Sequence, residues 1–502
     1  MFIRKKKNVS GKISIQVIDK SSGKYRVSKT IGCSDNTLEI SALLHQAEKW
    51  IKDSTGIIEL DFAKEEQLFD QMFDSIDRLE LVGLELLLGR IFDEIGFNKI
   101  ADKIFRQLVI YRIAFPQSKL KTTEYLYRYQ HIDWQEDMLY RYLDKLHNKQ
   151  RNMVQQISYE HTLKILGNDI SVVFYDVTTL YFEIDEGDDL RKTGFSKEGK
   201  HQNPQIVLGL LVSKGGYPLV YDIFDGSHFE GHTLLPVINS FKQKYQLDNL
   251  VVVADSGLMS GKNIEQLVES RYEFIIGARI KNENREIQKQ ILSLQLKNGQ
   301  SAVINKGELR LIITYSDNRA KKDAYNREKG IRKLEKQIRK GKLTKASINN
   351  RGYNKFLEME GNVSLSLNEE KIKTDKLWDG LKGYITNTNL PNDIIIENYR
   401  HLWQIEKAFR ITKTDLRVRP IYHRLPHRIE AHICISFVAY KVYKELERKL
   451  KQWEPNISAA KAIEIAENIF EIQIQSPVTK KKIRKILLLT QEQKNLAKLF
   501  NF

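Results

Sequence analysis

Residues 250–255 read LVVVAD, an unbroken apolar run closed by an acid. A strand with no polar alternation suits a sheet covered on both faces rather than one face of a sandwich. On its N-terminal side, SVVFY (171–175) is followed directly by Asp176. Then come QIVLGLLV (205–212), a Lys214-Gly215-Gly216 turn and YPLVYDIF (217–224), read as three strands with tight connections. A helical period from about His232 to Tyr245 leads into LVVV, a second helix runs from about Gly261 to Ser270, and YEFII (272–276) closes the series. The order β-β-β-α-β-α-β predicts an α/β core.

Past Arg279 the pattern changes. Between Lys306 and Lys355 there are 16 Lys and Arg against 5 Asp and Glu. Alternation at Val363, Leu365 and Leu367 and a strand at Gly383–Thr386 predict a β-containing insertion. Its helix, from about Asn326 to Lys340, carries many of the cations, and with so little acid to pair them phosphate contact is expected. The helical period returns at Asp393 and again over Arg428–Leu450. Before the core, Ile13, Ile15 and Val17 with Tyr25 and Val27 read as a hairpin. Leu79–Ile95, Ile100–Phe115 and Glu136–Ile165 read as helices. The expected division is a mainly helical N-terminal region (1–165), a first core part (166–285), a basic insertion (286–380), a second core part (381–455) and a tail (456–502).

The whole chain, 502 residues with 41% hydrophobic and 29% charged, is that of a globular protein. Lys and Arg number 81 against 64 acids, a formal +17 that points to a polyanion, nucleic acid first. Cys33 and Cys434 stand far apart with no CxxC, so neither a disulfide framework nor a zinc cluster is expected. No apolar run approaches the ~18 residues of a membrane span. With no secretory pattern at the N-terminus, a cytoplasmic protein is expected.

Three acids stand out. Asp176 and Asp255 each follow an apolar strand, where α/β folds place their ligand crevice. Glu406 lies in the late helix, and residues seven apart subtend about 700°, close to two turns, which places Tyr399, Glu406 and Lys413 on one face. Two Asp and one Glu form an all-oxygen donor set suited to Mg²⁺ or Mn²⁺. Two such ions serve phosphodiester chemistry, which joins the acids to the basic charge.

On these residues the sequence resembles the DDE transposases of bacterial insertion sequences, of the insertion-sequence-four type and its relatives, over roughly 166–430. The resemblance rests on FYDVTTLYFE (174–183), GFSKEGKHQNPQIVLGLLVSKGGYPLVYDIFDGSHFEGHTL (194–234), VVVADSGLMS (251–260) and YRHLWQIEKAFRITKTDLRVRPIYH (399–423). It implies an RNase H-like mixed-sheet core interrupted by the insertion, with Asp176, Asp255 and Glu406 as catalytic and metal-holding residues. It further implies binding of double-stranded DNA at terminal inverted repeats by the N-terminal region (1–165), strand cleavage and joining to target DNA, and a homodimer on paired ends. Tyr399, Glu406 and Lys413 match the family's helix signature, Tyr-x2-Arg-x3-Glu-x6-Lys. Leu402 stands where its arginine is expected, and Arg410, one turn after Glu406, is nearer in angle than Arg400 as a replacement. DNA contacts are thus expected from Tyr399, Arg400, Arg410 and Lys413.

Other chemistries lack their motifs: no GxxxxGK[ST], GxSxG or HExxH occurs. A nuclease that cuts without joining, and a non-catalytic DNA-binding descendant of a transposase, are the alternative readings.

Overall fold

The computed structural model describes residues 1–502 except 56–69, 71–72, 185, 197–198, 248–249, 259–260, 344–346, 350–351, 361–363 and 476–479. The chain divides into two compact units, one of Met1–Arg78 with Gln473–Arg484, the other of Leu79–Ile472 with Lys485–Phe502.

In the smaller unit, β1 (Phe2–Lys7), β2 (Ile13–Asp19) and β3 (Arg26–Ser34) form an antiparallel sheet in that order. Ile15 and Val17 are buried with Ala47 of the helix Thr37–Thr55, the alternate faces of β2 supplying the apolar side. The expected hairpin is β2 and β3. The additional strand, FIRKKK, is exposed along nearly its whole length and is held by backbone pairing, Phe2 opposite Ile18 through Lys7 opposite Ile13. The chain leaves through β4 (Ile76–Leu81).

The larger unit is built on an eight-stranded mixed sheet. Its strands are β5 (Val172–Tyr181), β6 (Gln205–Ser213), β7 (Pro218–Asp225), β8 (Val251–Ala254), β9 (Glu273–Ala278), β10 (Ser301–Lys306), β11 (Leu309–Tyr315) and β14 (Leu381–Thr386). The order is β10-β11-β14-β9-β8-β5-β6-β7, with β8 parallel to both β5 and β9. Both faces are covered, as the uniform apolar character of LVVV predicts. Val173, Tyr175, Val252 and Ala254 pack on one side with Leu234, Val237, Ile238 and Phe241 of the helix Leu234–Tyr245. Phe174 and Val253 face the other way, into a core shared with the helices Asn392–Arg400, Trp403–Arg410 and Pro426–Trp453. The α/β class and the series of strands and helices from 171 to 276 are those expected.

Two readings of local structure change. The first strand does not stop before Asp176 but runs on to Tyr181, paired with β6 throughout, because Val177, Thr178, Thr179 and Leu180 are also buried. The segment after β9 adds strands to the sheet through β14, with Gly383 opposite Ala278. Standing off the sheet edge are the helix Asp317–Arg339, which starts nine residues before the expected Asn326, the hairpin β12 (Leu357–Glu360) with β13 (Ser364–Leu367), and the helix Glu369–Lys376. Leu334, Phe356, Leu357 and Ile372 give this part its own small core. Leu365 and Leu367 lie in β13 and the expected strand at 383–386 in β14; Val363 lies outside the described residues. Among the described residues no helix is long and apolar enough to cross a membrane.

Candidate active site

Strand register brings the first two acids together. β5 and β8 pair in parallel with Tyr175 opposite Ala254, and Asp176 and Asp255 are the next residue on each strand. Tyr175 and Ala254 face one core, so alternation turns both acids to the opposite face, the side of Phe174, Val253 and the late helices. Asp176 is half-buried and Asp255 exposed. Asp176 accepts from the Val177 amide at 2.8 Å, which fixes its carboxylate beside the strand.

The late helices lie on this same face, but not as the single helix expected. The helix of Tyr399 ends at Arg400, His401 and Leu402 form a turn, and a new helix starts at Trp403. Short-range bonds, Leu402 N–H to Tyr399 O at 3.1 Å and Ile405 N–H to Leu402 O at 3.1 Å, replace the four-residue ladder there. A wide π turn over Ile411–Asp415 follows and carries Lys413. The seven-residue angular argument therefore does not describe how Tyr399, Glu406 and Lys413 are arranged. Leu402, 6% exposed, is part of the core: at this break an apolar side chain is what the packing uses.

Tyr399 nonetheless meets Asp255, and Glu406 is near enough for its charge to act on Tyr399 and Lys382. The Tyr399 hydroxyl donates to Asp255 Oδ1 at 3.0 Å. Burial holds its proton well above the usual phenol range, with the charges of Asp255 and Glu406 acting in the same direction. The ring fits because residue 277 is glycine: a Cβ there would lie 2.4 Å from Tyr399 Oη.

Lys382 of β14 completes the group, and nothing in its sequence neighbourhood marks it. Its Nζ lies 4.4 Å from the Tyr399 ring centre and 5.3 Å from that of Tyr384. Burial and then Arg319 lower its affinity for a proton, Asp255 and Glu406 oppose them, and Arg400 adds to the lowering. Arg319 and Arg400 are thus the arginines whose charge acts on Lys382. Arg410 acts instead on Asp415 and Tyr443. With the helix interrupted between Arg400 and Trp403, the angular comparison of Arg410 with Arg400 no longer applies.

A cleft of about 630 Å³ opens beside Asp255, lined also by Tyr399, Lys382, Arg319, Lys281 and Lys355. The segment between Asp255 and Glu406 so supplies one wall. Its cations are more internally paired than the charge count suggests. Arg327, 6% exposed, forms a double hydrogen bond with Asp379 at 2.5 and 2.5 Å, and Asp375 accepts from Lys281 at 2.8 Å and Lys355 at 2.7 Å. Lys322, Lys329, Lys333 and Lys336 on the same long helix are exposed.

The three acids, Asp176, Asp255 and Glu406, are carboxylates, and the register of β5 and β8 puts Asp176 and Asp255 on one face. This donor chemistry fits a hard divalent ion. Among the described residues no three acids, histidines or cysteines already stand in a metal-holding arrangement.

Residues 167–441, more than half of the chain, match the family model described as "Transposase DDE domain". No curated protein matches the chain in sequence. Solved structures similar to it include a piggyBac transposase synaptic complex with hairpin DNA, at 9% identity and TM-score 0.37, covering 77% of this chain and 79% of that one. A Mos1 transposase paired-end complex with left transposon end matches at 9% identity and TM-score 0.16, covering 34% and 58%. A Mos1 mariner paired end complex with Mn matches at 12% identity and TM-score 0.15, covering 37% and 65%.

Proposed function

The chain belongs to the transposase DDE-domain family, and from that premise we propose that it is a transposase of the bacterial insertion-sequence-four type. In this reading it binds the terminal inverted repeats of its element, cuts the DNA strand there and joins the freed end to target DNA, in the cytoplasm and as a homodimer on paired ends. The observation that carries the reading is the aligned pair Asp176 and Asp255 on parallel neighbours β5 and β8, with Glu406 acting on the same Tyr399 that bonds Asp255.

Asp176, Asp255 and Glu406 are the residues that would hold divalent metal, Mg²⁺ or Mn²⁺ and two ions. Bound there, such ions supply activation of a water or 3′-hydroxyl and stabilisation of the departing oxygen. The chain's own groups do the rest. Tyr399 keeps its proton and orients the Asp255 carboxylate. Lys382 and Arg400 offer positive charge to a phosphodiester beside the acids, and Lys413 and Arg410 extend that charge along the last turns. In cleavage, water adds to phosphorus and the bond to the 3′-oxygen breaks, leaving a 3′-hydroxyl and a 5′-phosphate. In joining, that hydroxyl attacks a target phosphodiester: a new bond from its 3′-oxygen to the target phosphorus forms, the bond from that phosphorus to the target's own 3′-oxygen breaks, and the departing oxygen takes up the proton as a target 3′-hydroxyl.

The test is incubation of the purified chain and Mg²⁺ with duplex DNA carrying the flanking repeats. Cleaved and joined products are expected, both lost in Asp176→Ala and Glu406→Ala. Cleavage without joining would favour the nuclease reading, and cleavage unchanged in either variant would overturn the site.

A further inference from the structure

On another part of the larger unit, the helix Lys103–Ala114, the start of the helix Lys119–Gln130, the segment 417–423 and the helix Pro426–Trp453 enclose a cavity of about 270 Å³. Its walls include Arg112, Lys119, Arg417, His423 and His432. Arg112 is 6% exposed, Lys119 4% and His432 6%. Pro116 ends one helix and Ser118 caps the next, so the short connection folds Arg112 and Lys119 towards the same space.

Buried cations are ordinarily matched by an acid, because an unpaired charge out of water is costly. Here the neighbours are cationic. Burial lowers the proton affinity of Lys119, and Arg112 lowers it further. His423 is pushed down to about 3 by burial, then by Lys119, Arg112 and Arg428. His432 is lowered by burial, then by Arg112, Lys119 and His423, with only the Val418 carbonyl opposing. The carboxylate on the wall, Glu136, accepts from the Tyr140 hydroxyl at 2.6 Å. Arg112 Nε and His432 Nδ1 are buried polar atoms with no hydrogen-bond partner.

We propose that this cavity is a binding site for a phosphate group, held by the Arg112 guanidinium and the Lys119 ammonium with the exposed Arg417 at its mouth. A tetrahedral anion of up to two charges supplies several acceptor oxygens to donors that come from different helices, and it adds counter-charge to walls whose cations outnumber the carboxylate of Glu136. The same anion favours a second proton on His423 and His432, which then face it as further donors. The phosphate has two sources of one chemistry, the phosphodiester of a nucleic-acid strand or free orthophosphate. The site is independent of the carboxylate assignment above.

The test uses the full chain. Thermal unfolding is followed against orthophosphate at constant ionic strength, with chloride as the control, and binding of a duplex oligonucleotide is titrated against salt. If free phosphate is the ligand, orthophosphate raises the unfolding temperature saturably where chloride does not. Lys119→Gln then weakens that binding about tenfold or more, the worth of a charge-assisted hydrogen bond. If a strand phosphodiester is the ligand, orthophosphate has no such effect, and Lys119→Gln lowers the duplex salt slope by about one contact. Arg417→Gln, at an exposed position, gives the same readouts should a buried substitution fail to fold. Orthophosphate protection equal in wild type and both variants overturns the proposal, as does its absence together with an unchanged salt slope.

Discussion

The phenol of Tyr399 donates a 3.0 Å hydrogen bond to Oδ1 of Asp255, across 144 residues of sequence. The acid follows a four-residue strand and is itself exposed, so its orientation depends on this buried neighbour. Tyr399→Phe removes the bond and keeps the ring packing. A hydrogen bond to a charged group contributes about 1.5–3 kcal/mol, part of which holds the carboxylate in place. Strand cleavage is expected to fall about tenfold or more while the thermal midpoint moves little. A cleavage time course beside a melting curve checks both, and unchanged cleavage would remove Tyr399 from the site.

The same phenol can be displaced from the opposite side. A methyl at residue 277 would lie 2.4 Å from Tyr399 Oη and 3.1 Å from Cζ. Gly277→Ala is therefore expected to destabilise by about 1–3 kcal/mol, the usual effect of overpacking, and to reduce cleavage as Tyr399→Phe does. The double variant lacks the hydroxyl that makes the closer contact. Its urea midpoint is expected above that of Gly277→Ala alone; a simple sum of the two single effects would contradict this geometry.

How much of this was legible in the sequence follows from where each contact comes from. Asp176 and Asp255 stand out because LVVV and SVVFY are apolar enough to be buried strands and an acid after each is conspicuous. The break at His401–Leu402 is hidden because Tyr399, Leu402, Ile405 and Ala408 all enter one core, so the apolar spacing continues across a turn that interrupts the helix. Lys382 is invisible for a different reason: its partners Tyr399 and Arg319 are far away in sequence, and a lone lysine in a strand carries no pattern. β1 is missed since FIRKKK has no apolar face, its place being set by backbone pairing. The basic stretch after Lys306 was legible as charge, but its internal pairs, such as Arg327 with Asp379, depend on the fold.

That pair has its own consequence. Arg327 is 6% exposed, and Asp379 accepts two hydrogen bonds from it at 2.5 and 2.5 Å. Asp379→Asn leaves a buried guanidinium facing a neutral amide, with Asp375 only at 3.7 Å. Breaking a buried pair from one side costs about 3 kcal/mol or more. Chemical denaturation is expected to show that loss. Glu328→Gln, which removes the exposed partner of Arg332, should leave the midpoint where it was. Equal effects from the two substitutions would contradict the burial argument.

Acid is expected to destabilise the larger unit below neutral pH, through histidines that the fold keeps neutral. Burial pushes His161 down to about 3, with Lys441 adding to it, and pushes His423 down to about 3; His432 is lowered as well. In the unfolded chain each takes up a proton near its ordinary value of about 6.5. Between those limits the unfolded state holds more protons than the folded one, so stability rises with pH. It is fully present above about 6.5 and is lost as pH falls towards 3. With three such groups the slope approaches about 4 kcal/mol per pH unit at its steepest. Urea midpoints at pH 7, 6 and 5 in phosphate-free buffer measure it, and His161→Gln should make the curve shallower by about one proton. A midpoint that stays flat from pH 7 to pH 5 would mean that these rings are already charged in the folded protein.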